Sequence, residues 1–290
     1  MHMLPITVRK ILTPFFVGII ILGTASVGGC NKDNNPVNSD ETIVTTDDAA
    51  DAVSDALASN NGGAMDQVED VFEIAGGTGK FGGTPGLGKG TIDSVDVRRL
   101  FDSVTTSWTL HIYKERSGPF FYGNWTRDYW HQFRANGTPQ ISRVVGTTVA
   151  DTILHKITGG TGYFWTPRLS HKLDSLRGDW VASNTNTDTV TINGTYKRWG
   201  VDTIKVTARK GRYLVHSLSL IFKDVRGPRG SRRSDKTSGT IEGTYKATVT
   251  VTGRASFEIT KTFIITLGSG KAVFSIDGTK YTADLDTGDH

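Results

Sequence analysis

From about Thr91 onward, hydrophobic side chains recur at every second position. Tyr245, Ala247, Val249 and Val251 alternate with Thr244, Lys246, Thr248 and Thr250, and Leu214, His216, Leu218, Leu220 and Phe222 form another such row. Ile204, Val206 and Ala208 alternate with Thr203, Lys205 and Thr207, while Phe257, Ile259, Phe263, Ile265 and Leu267 share one face. Apolar residues on one side and Thr or charge on the other describe antiparallel strands with one wet face. Turn residues separate the runs at Ser117-Gly118-Pro119, Asn136-Gly137, Gly227-Pro228, Gly268-Ser269-Gly270 and Asp277-Gly278. No convincing helix interrupts them, which argues against a parallel α/β fold. The expectation is an all-β domain over 91–290. It is an antiparallel sandwich, or a meander closing partly toward a barrel, preceded by a short helical segment.

Residues 47–90 read as a helical and glycine-rich lead-in. Asp47 to about Ser59 is rich in Ala, has acids in its first turn, and sets Val53 and Leu57 four residues apart. A second short helix is expected from about Ala64 to Ala75, with Met65, Val68 and Phe72 on one face. Gly76 to Gly90 is a breaker between helices and sheet. Within the β region, Ile192-Asn193-Gly194-Thr195-Tyr196-Lys197 is echoed by Ile241-Glu242-Gly243-Thr244-Tyr245-Lys246 and more faintly by Ile276-Asp277-Gly278-Thr279. The spacing is too uneven for a propeller or solenoid, so the phrase reads as one solution to a strand bend or turn.

The first 29 residues follow a different grammar. Arg9 and Lys10 precede an apolar stretch from Ile11 to about Leu22, too short to span a bilayer and interrupted by Pro14. Small residues then lead to Val27-Gly28-Gly29-Cys30. This order resembles the signal peptide and lipobox of bacterial lipoproteins. The resemblance implies cleavage before Cys30, acylation of its thiol with palmitate-type chains, and anchorage in the cell envelope, on the outer membrane. Cys30 is the only cysteine, so the domain has no disulfide within it. Residues 30–46 read as a flexible tether. Asn31-Lys32-Asp33 resembles the short signals of surface lipoproteins in Bacteroidetes-type bacteria; display on the cell surface and a position facing the periplasm both stay open.

Composition adds charge asymmetry. The chain is 37% hydrophobic and 21% charged, as a globular protein is. Without Arg9 and Lys10, the 33 basic residues become 31 against 29 acids, a net charge of +2. Residues 31–75 hold eleven acids and one Lys; residues 197–236 hold twelve bases and three Asp. The two regions either attract each other within one molecule or face different partners.

Several motifs are present without their chemistry. Gly77-Thr78-Gly79-Lys80-Phe81-Gly82 matches a dinucleotide turn but follows a helix and leads to a strand. Gly83 to Lys89 nearly matches a P-loop, with Gly90 where the metal-binding hydroxyl belongs. Asp286-Thr287-Gly288 matches the aspartic protease triplet without a second copy. His111, His131, His155, His171 and His216 are widely spaced, with no metal motif, and no metal or other cofactor is assigned. Asp128 and Glu115 would suit a glycosidase only if the strands brought them about 5–9 Å apart. The basic loop Arg226 to Arg233 is either solvated or a contact for anionic lipids and glycans.

Nine aromatic residues fall between Trp108 and Phe133. On a strand Trp125, Tyr129 and Phe133 share a face with Arg127 and His131, while Trp130 points the other way. Such a band either packs a core or stacks sugar rings. The functional expectation is a non-catalytic, lipid-anchored envelope protein with a binding or structural role. Its partners would be the membrane, through the lipid on Cys30, and an envelope glycan or another envelope protein, but not nucleic acid. Alternatives are glycan binding through Trp125, Tyr129 and Trp130, carriage of an apolar ligand, and envelope hydrolysis.

Overall fold

The computed structural model describes residues 46–77, 91–167, 169–207, 210–251 and 255–290. The expected signal peptide, Cys30, nearly all of the expected tether and the two glycine motifs beyond Gly77 lie outside the described residues. Two helices come first, α1 (Thr46–Leu57) and α2 (Ala64–Gly76). Strands follow: β1 (Thr91–Asp102), β2 (Ser107–Gly118), β3 (Phe121–Ala135), β4 (Thr138–Gln140), β5 (Val144–Val145), β6 (Thr148–Val149) and β7 (Thr152–Trp165). The second half holds β8 (Leu169–Ser183), β9 (Thr189–Thr207), β10 (Lys210–Pro228), β11 (Ser238–Val251), β12 (Phe257–Gly268), β13 (Lys271–Ile276) and β14 (Thr279–Asp284).

The fold is all-β and antiparallel, and its topology is a meander. Strands β1-β2-β3-β7-β8-β9-β10-β11-β12-β13-β14 neighbour one another in that order, β4 adds to β3, and the sheet is not closed. Three hairpins turn on pairs with positive φ that suit the twist of the flanking strands: Asn136-Gly137, Ser269-Gly270 and Asp277-Gly278. Gly194, from the recurring phrase, has φ 143° and a Cβ there would lie 2.1 Å from the Asp179 carbonyl oxygen. The phrase falls on a positive-φ strand residue at Gly194 and a hairpin turn at Asp277-Gly278, while at Gly243 the Phe263 ring lies where a Cβ would be.

Both helices lie against the inward face of the sheet. Every residue of α2 from Ala64 to Ala75 is buried, as are Val53, Ala56 and Leu57 of α1. Their partners come from β2, β3, β9, β10 and β14: Lys114 meets α2, Arg198 and Arg212 meet α1, Tyr196 meets Gln67, and Tyr281 meets Asp47. A sheet that touches one helical pair with strands from β2 to β14 must curl around it. The lead-in is therefore the filling of the domain. Alternation along the strands follows from this: Leu214, His216, Leu218, Leu220 and Phe222 all face inward and are buried. Trp180 packs against Tyr196 and Phe222, with ring centroids 6.2 and 5.0 Å away, in the middle of this core.

Candidate functional site

The aromatic band divides as the strand parity requires. Trp125 and Tyr129 face α2 and are 3% and 0% exposed. Trp125 Nε1 donates to Asp66 at 3.2 Å, and Tyr129 donates its hydroxyl to Asp70 at 2.9 Å. Trp130 lies half-buried on the outer face, with Lys156 Nζ 5.4 Å from its ring centre and its Nε1 donating to Ser107. The open row that sugar stacking needs is not formed by these three residues, because the helices cover the face that two of them share.

Those helices bring an unexpected charge cluster inside. Lys114 Nζ lies 2.9 Å from both Asp66 and Asp70, and all three side chains are 0% exposed. Arg232, from the loop after β10, reaches Asp66, Asp70, Glu69 and Glu73. Burial pushes the Asp66 carboxyl up, but Lys114 and Arg232 outweigh it and hold it below the usual range. At Glu69 burial wins, and its pKa rises to about 7. The acidic and basic regions thus attract each other within one molecule, and Arg212 pairs with Asp48 in the same way. The basic loop 226–233 does not present all its charge to solvent: the Arg232 side chain is 3% exposed, Arg229 pairs with Asp188, and Arg233 pairs with Asp235.

A second buried cluster joins β8, β9 and β10. His171 Nδ1 is 2.5 Å from Asp202 Oδ1, and His216 Nε2 is 3.1 Å from Asp202 Oδ2. Arg198 contacts the other nitrogen of His171. Gly200 makes room, since a Cβ there would lie 2.9 Å from the His171 ring. Among the described residues this is the one group of three metal-ligating side chains whose ligand atoms lie within 4.8 Å of one another. His171 is hydrogen-bonded to one carboxylate oxygen of Asp202, His216 lies within ion-pair distance of the other, and Arg198 supplies a counter-charge. Burial and then Arg198 lower His171 to about 4, so it is neutral at pH 7. The sequence signal was legible in principle, because Arg198 and Asp202 occupy inward positions of a strand, where charge is unusual.

Nearby, Asp51, Asp55, Asp289 and His290 border a recess of about 280 Å³ between α1 and the residues after β14. Burial, with Asp202 and Asp51 close, raises Asp55 to about 8. Asp286-Thr287-Gly288 forms a turn here, with the amides of Asp286 and Thr287 donating to Asp284. Asn60 donates its amide to the Asp286 carbonyl, so the triplet serves to pin the chain beside α1.

The hydrolase pair does not assemble. Asp128 sits opposite His111 and Glu115 opposite Asn124, four residues further along β2 or about 13 Å away. Asp128 is bound to His111 at 2.7 Å, and Glu115 accepts from Tyr113. His131 faces inward opposite His155, away from His111. His155 lies between the rings of Tyr129 and Trp180, and burial, followed by His131, lowers its pKa to about 3.

Two further concavities stand open. On the outer face, the β7–β8 ladder is interrupted between Ile157↔Gly178 and Gly162↔Leu173. A groove of about 500 Å³ lies beside the interruption, lined by Tyr113, Asn124, Tyr163, Lys172 and Asp174, and Trp125 is reached through the bare Gly162 backbone. At the C-terminal end of α2, a recess of about 420 Å³ opens between Ile74, Trp108 and Phe133. Comparison with family models, with curated proteins and with solved structures returned no match.

Proposed function

We propose that this chain is a lipid-anchored protein of the bacterial cell envelope with a non-catalytic, binding or structural role. Cys30 carries the anchor, residues 30–46 form the tether, and the β domain does the work outside the cytoplasm. One observation supports the non-catalytic half. Six charged or titratable groups are turned inward and engaged in two clusters, Asp66, Asp70, Lys114 and Arg232 in one and His171 and Asp202 in the other. No helix among the described residues is long and apolar enough to cross a membrane. The test is fractionation of cells expressing the chain and Cys30→Ser, with mass analysis of the Cys30 peptide. The native chain should partition with membranes and carry acyl mass, and the variant should be released. A variant that stays membrane-bound refutes the anchor.

Glycan binding remains as a second reading, moved from the covered aromatic face to the outer groove. Two tyrosines, a carboxamide and a carboxylate are groups that stack on and hydrogen-bond to sugars. Tyr163→Ala should then lose retention on immobilised envelope polysaccharide.

A further inference from the structure

We infer that the recess at the end of α2 is a binding site for a small apolar molecule carrying one anionic group, an alkyl or aryl carboxylate. This names a ligand class for the binding role proposed above and does not depend on the lipid at Cys30.

The site is built before any ligand arrives. Trp108 donates its Nε1 to the Ile141 carbonyl at 2.8 Å, which ties the segment after β4 to β2. Leu110 and Phe133 form an apolar floor, buried at 2% and 8% exposure, and Ile74 of α2 closes one side. The volume of about 420 Å³ lies in the range of small-molecule sites. At the mouth, Ile141 and Val144 are 49% and 41% exposed, apolar area that water solvates poorly.

The ionisable groups at the recess are nitrogen bases. Among the described residues that line the recess, the ionisable side chains are Arg99, Arg143 and His131. Arg143 lies against the bare backbone of Gly77, where a Cβ would be 3.2 Å from its Nε. It has no carboxylate partner among the described residues, and the planar fork of a guanidinium matches a carboxylate. His131 is 5% exposed, and its Nδ1 has no hydrogen-bond partner. A buried polar atom left unpaired costs about 1–3 kcal/mol, which a ligand oxygen would offset. Burial, with Arg99 close, lowers His131 to about 4, so the imidazole is neutral and the positive charge offered to a ligand is that of Arg143. Apolar walls beside a guanidinium with no carboxylate partner among the described residues, that of Arg143, select an amphiphile by charge, favouring the anion over its neutral and cationic analogues.

The probe is anilinonaphthalene sulfonate, an anionic aryl dye that brightens in apolar sites, added to the folded full chain. Decanoate, decanol and decyltrimethylammonium are then used to displace it. The expected result is displacement by decanoate at a concentration about tenfold below decanol, with the cation weakest. Arg143→Gln should raise the decanoate concentration needed about tenfold and leave decanol unchanged. Arg177→Ala, on the outer face, should match the native chain. Circular dichroism confirms the variant's fold, and Arg99→Gln replaces Arg143→Gln if that variant is unfolded. Absence of dye binding, equal displacement by all three competitors, or an unchanged response in both arginine variants overturns the proposal. None of these outcomes bears on the acyl mass at Cys30, so the anchor stands or falls separately.

Discussion

Replacing Lys114 with Met should destabilise the domain by about 3–5 kcal/mol, the usual loss when one partner of a buried ion pair is removed. The side chain is 0% exposed and its ammonium sits 2.9 Å from two carboxylates. At an effective dielectric constant of about 20, each contact is worth about 6 kcal/mol gross. Desolvating the ammonium offsets several kcal/mol of this. Arg232 keeps hold of Asp66 and Asp70 after the change, which limits the loss. Met conserves most of the volume, so a cavity contributes little. The assay is urea unfolding followed by tryptophan fluorescence at pH 7 and again near pH 3. The sign of the pH effect follows from Asp66, whose folded pKa is held below its unfolded value. Such a group stabilises above the unfolded pKa and stops doing so as pH falls through the folded one. The difference between native and variant should therefore shrink in acid. A loss under about 1 kcal/mol at pH 7, or one that does not change with pH, would refute a desolvated cluster. Adding Asp70→Asn to the variant should recover part of the loss, because it removes a carboxylate left with less compensation.

Asp55 carries the opposite sign. Its pKa rises to about 8 in the folded state, chiefly through burial, so the domain loses stability as pH climbs from about 4 to about 8. Asp55→Asn should match the native chain near pH 4 and exceed it by about 1–3 kcal/mol at pH 8, a figure discounted because the residue keeps a partly exposed edge. Equal pH profiles for the two proteins would show that Asp55 is ionised throughout. Gly76→Ala should cost about 1–3 kcal/mol, because its Cβ would lie 2.2 Å from the Gly230 Cα and backbone cannot swing aside. A melting temperature equal to the native one would mean that α2 and the 228–233 loop are not in close contact.

Local chemistry made much of the fold legible. The period of two places Leu214 to Phe222 and Tyr245 to Val249 on a buried face because a strand sends alternate side chains to opposite sides. Asn136-Gly137 and Asp277-Gly278 turn where read, since these pairs tolerate the positive φ that hairpins need. Both helices were visible from Ala content and spacing, within a residue or two of their ends.

The role of those helices was not legible. An amphipathic pattern says which face is apolar, but it cannot say that the polar face is also covered. Asp66, Glu69, Asp70 and Glu73 look like a solvated stripe until Lys114 and Arg232, 44 and 162 residues away from Asp70, arrive beside them. The aromatic band carried the same ambiguity: parity put Trp125 and Tyr129 on one face, and only the docking of α2 decided that the face is closed. His171, Asp202 and His216 are scattered in sequence and meet because three neighbouring strands bring their inward positions together. By itself, then, the sequence determined what one residue imposes on the next few: strands, turns and short helices. Tertiary structure decided which polar groups lose water and what they meet when they do. Desolvation depends on contacts between distant segments, which no local pattern encodes.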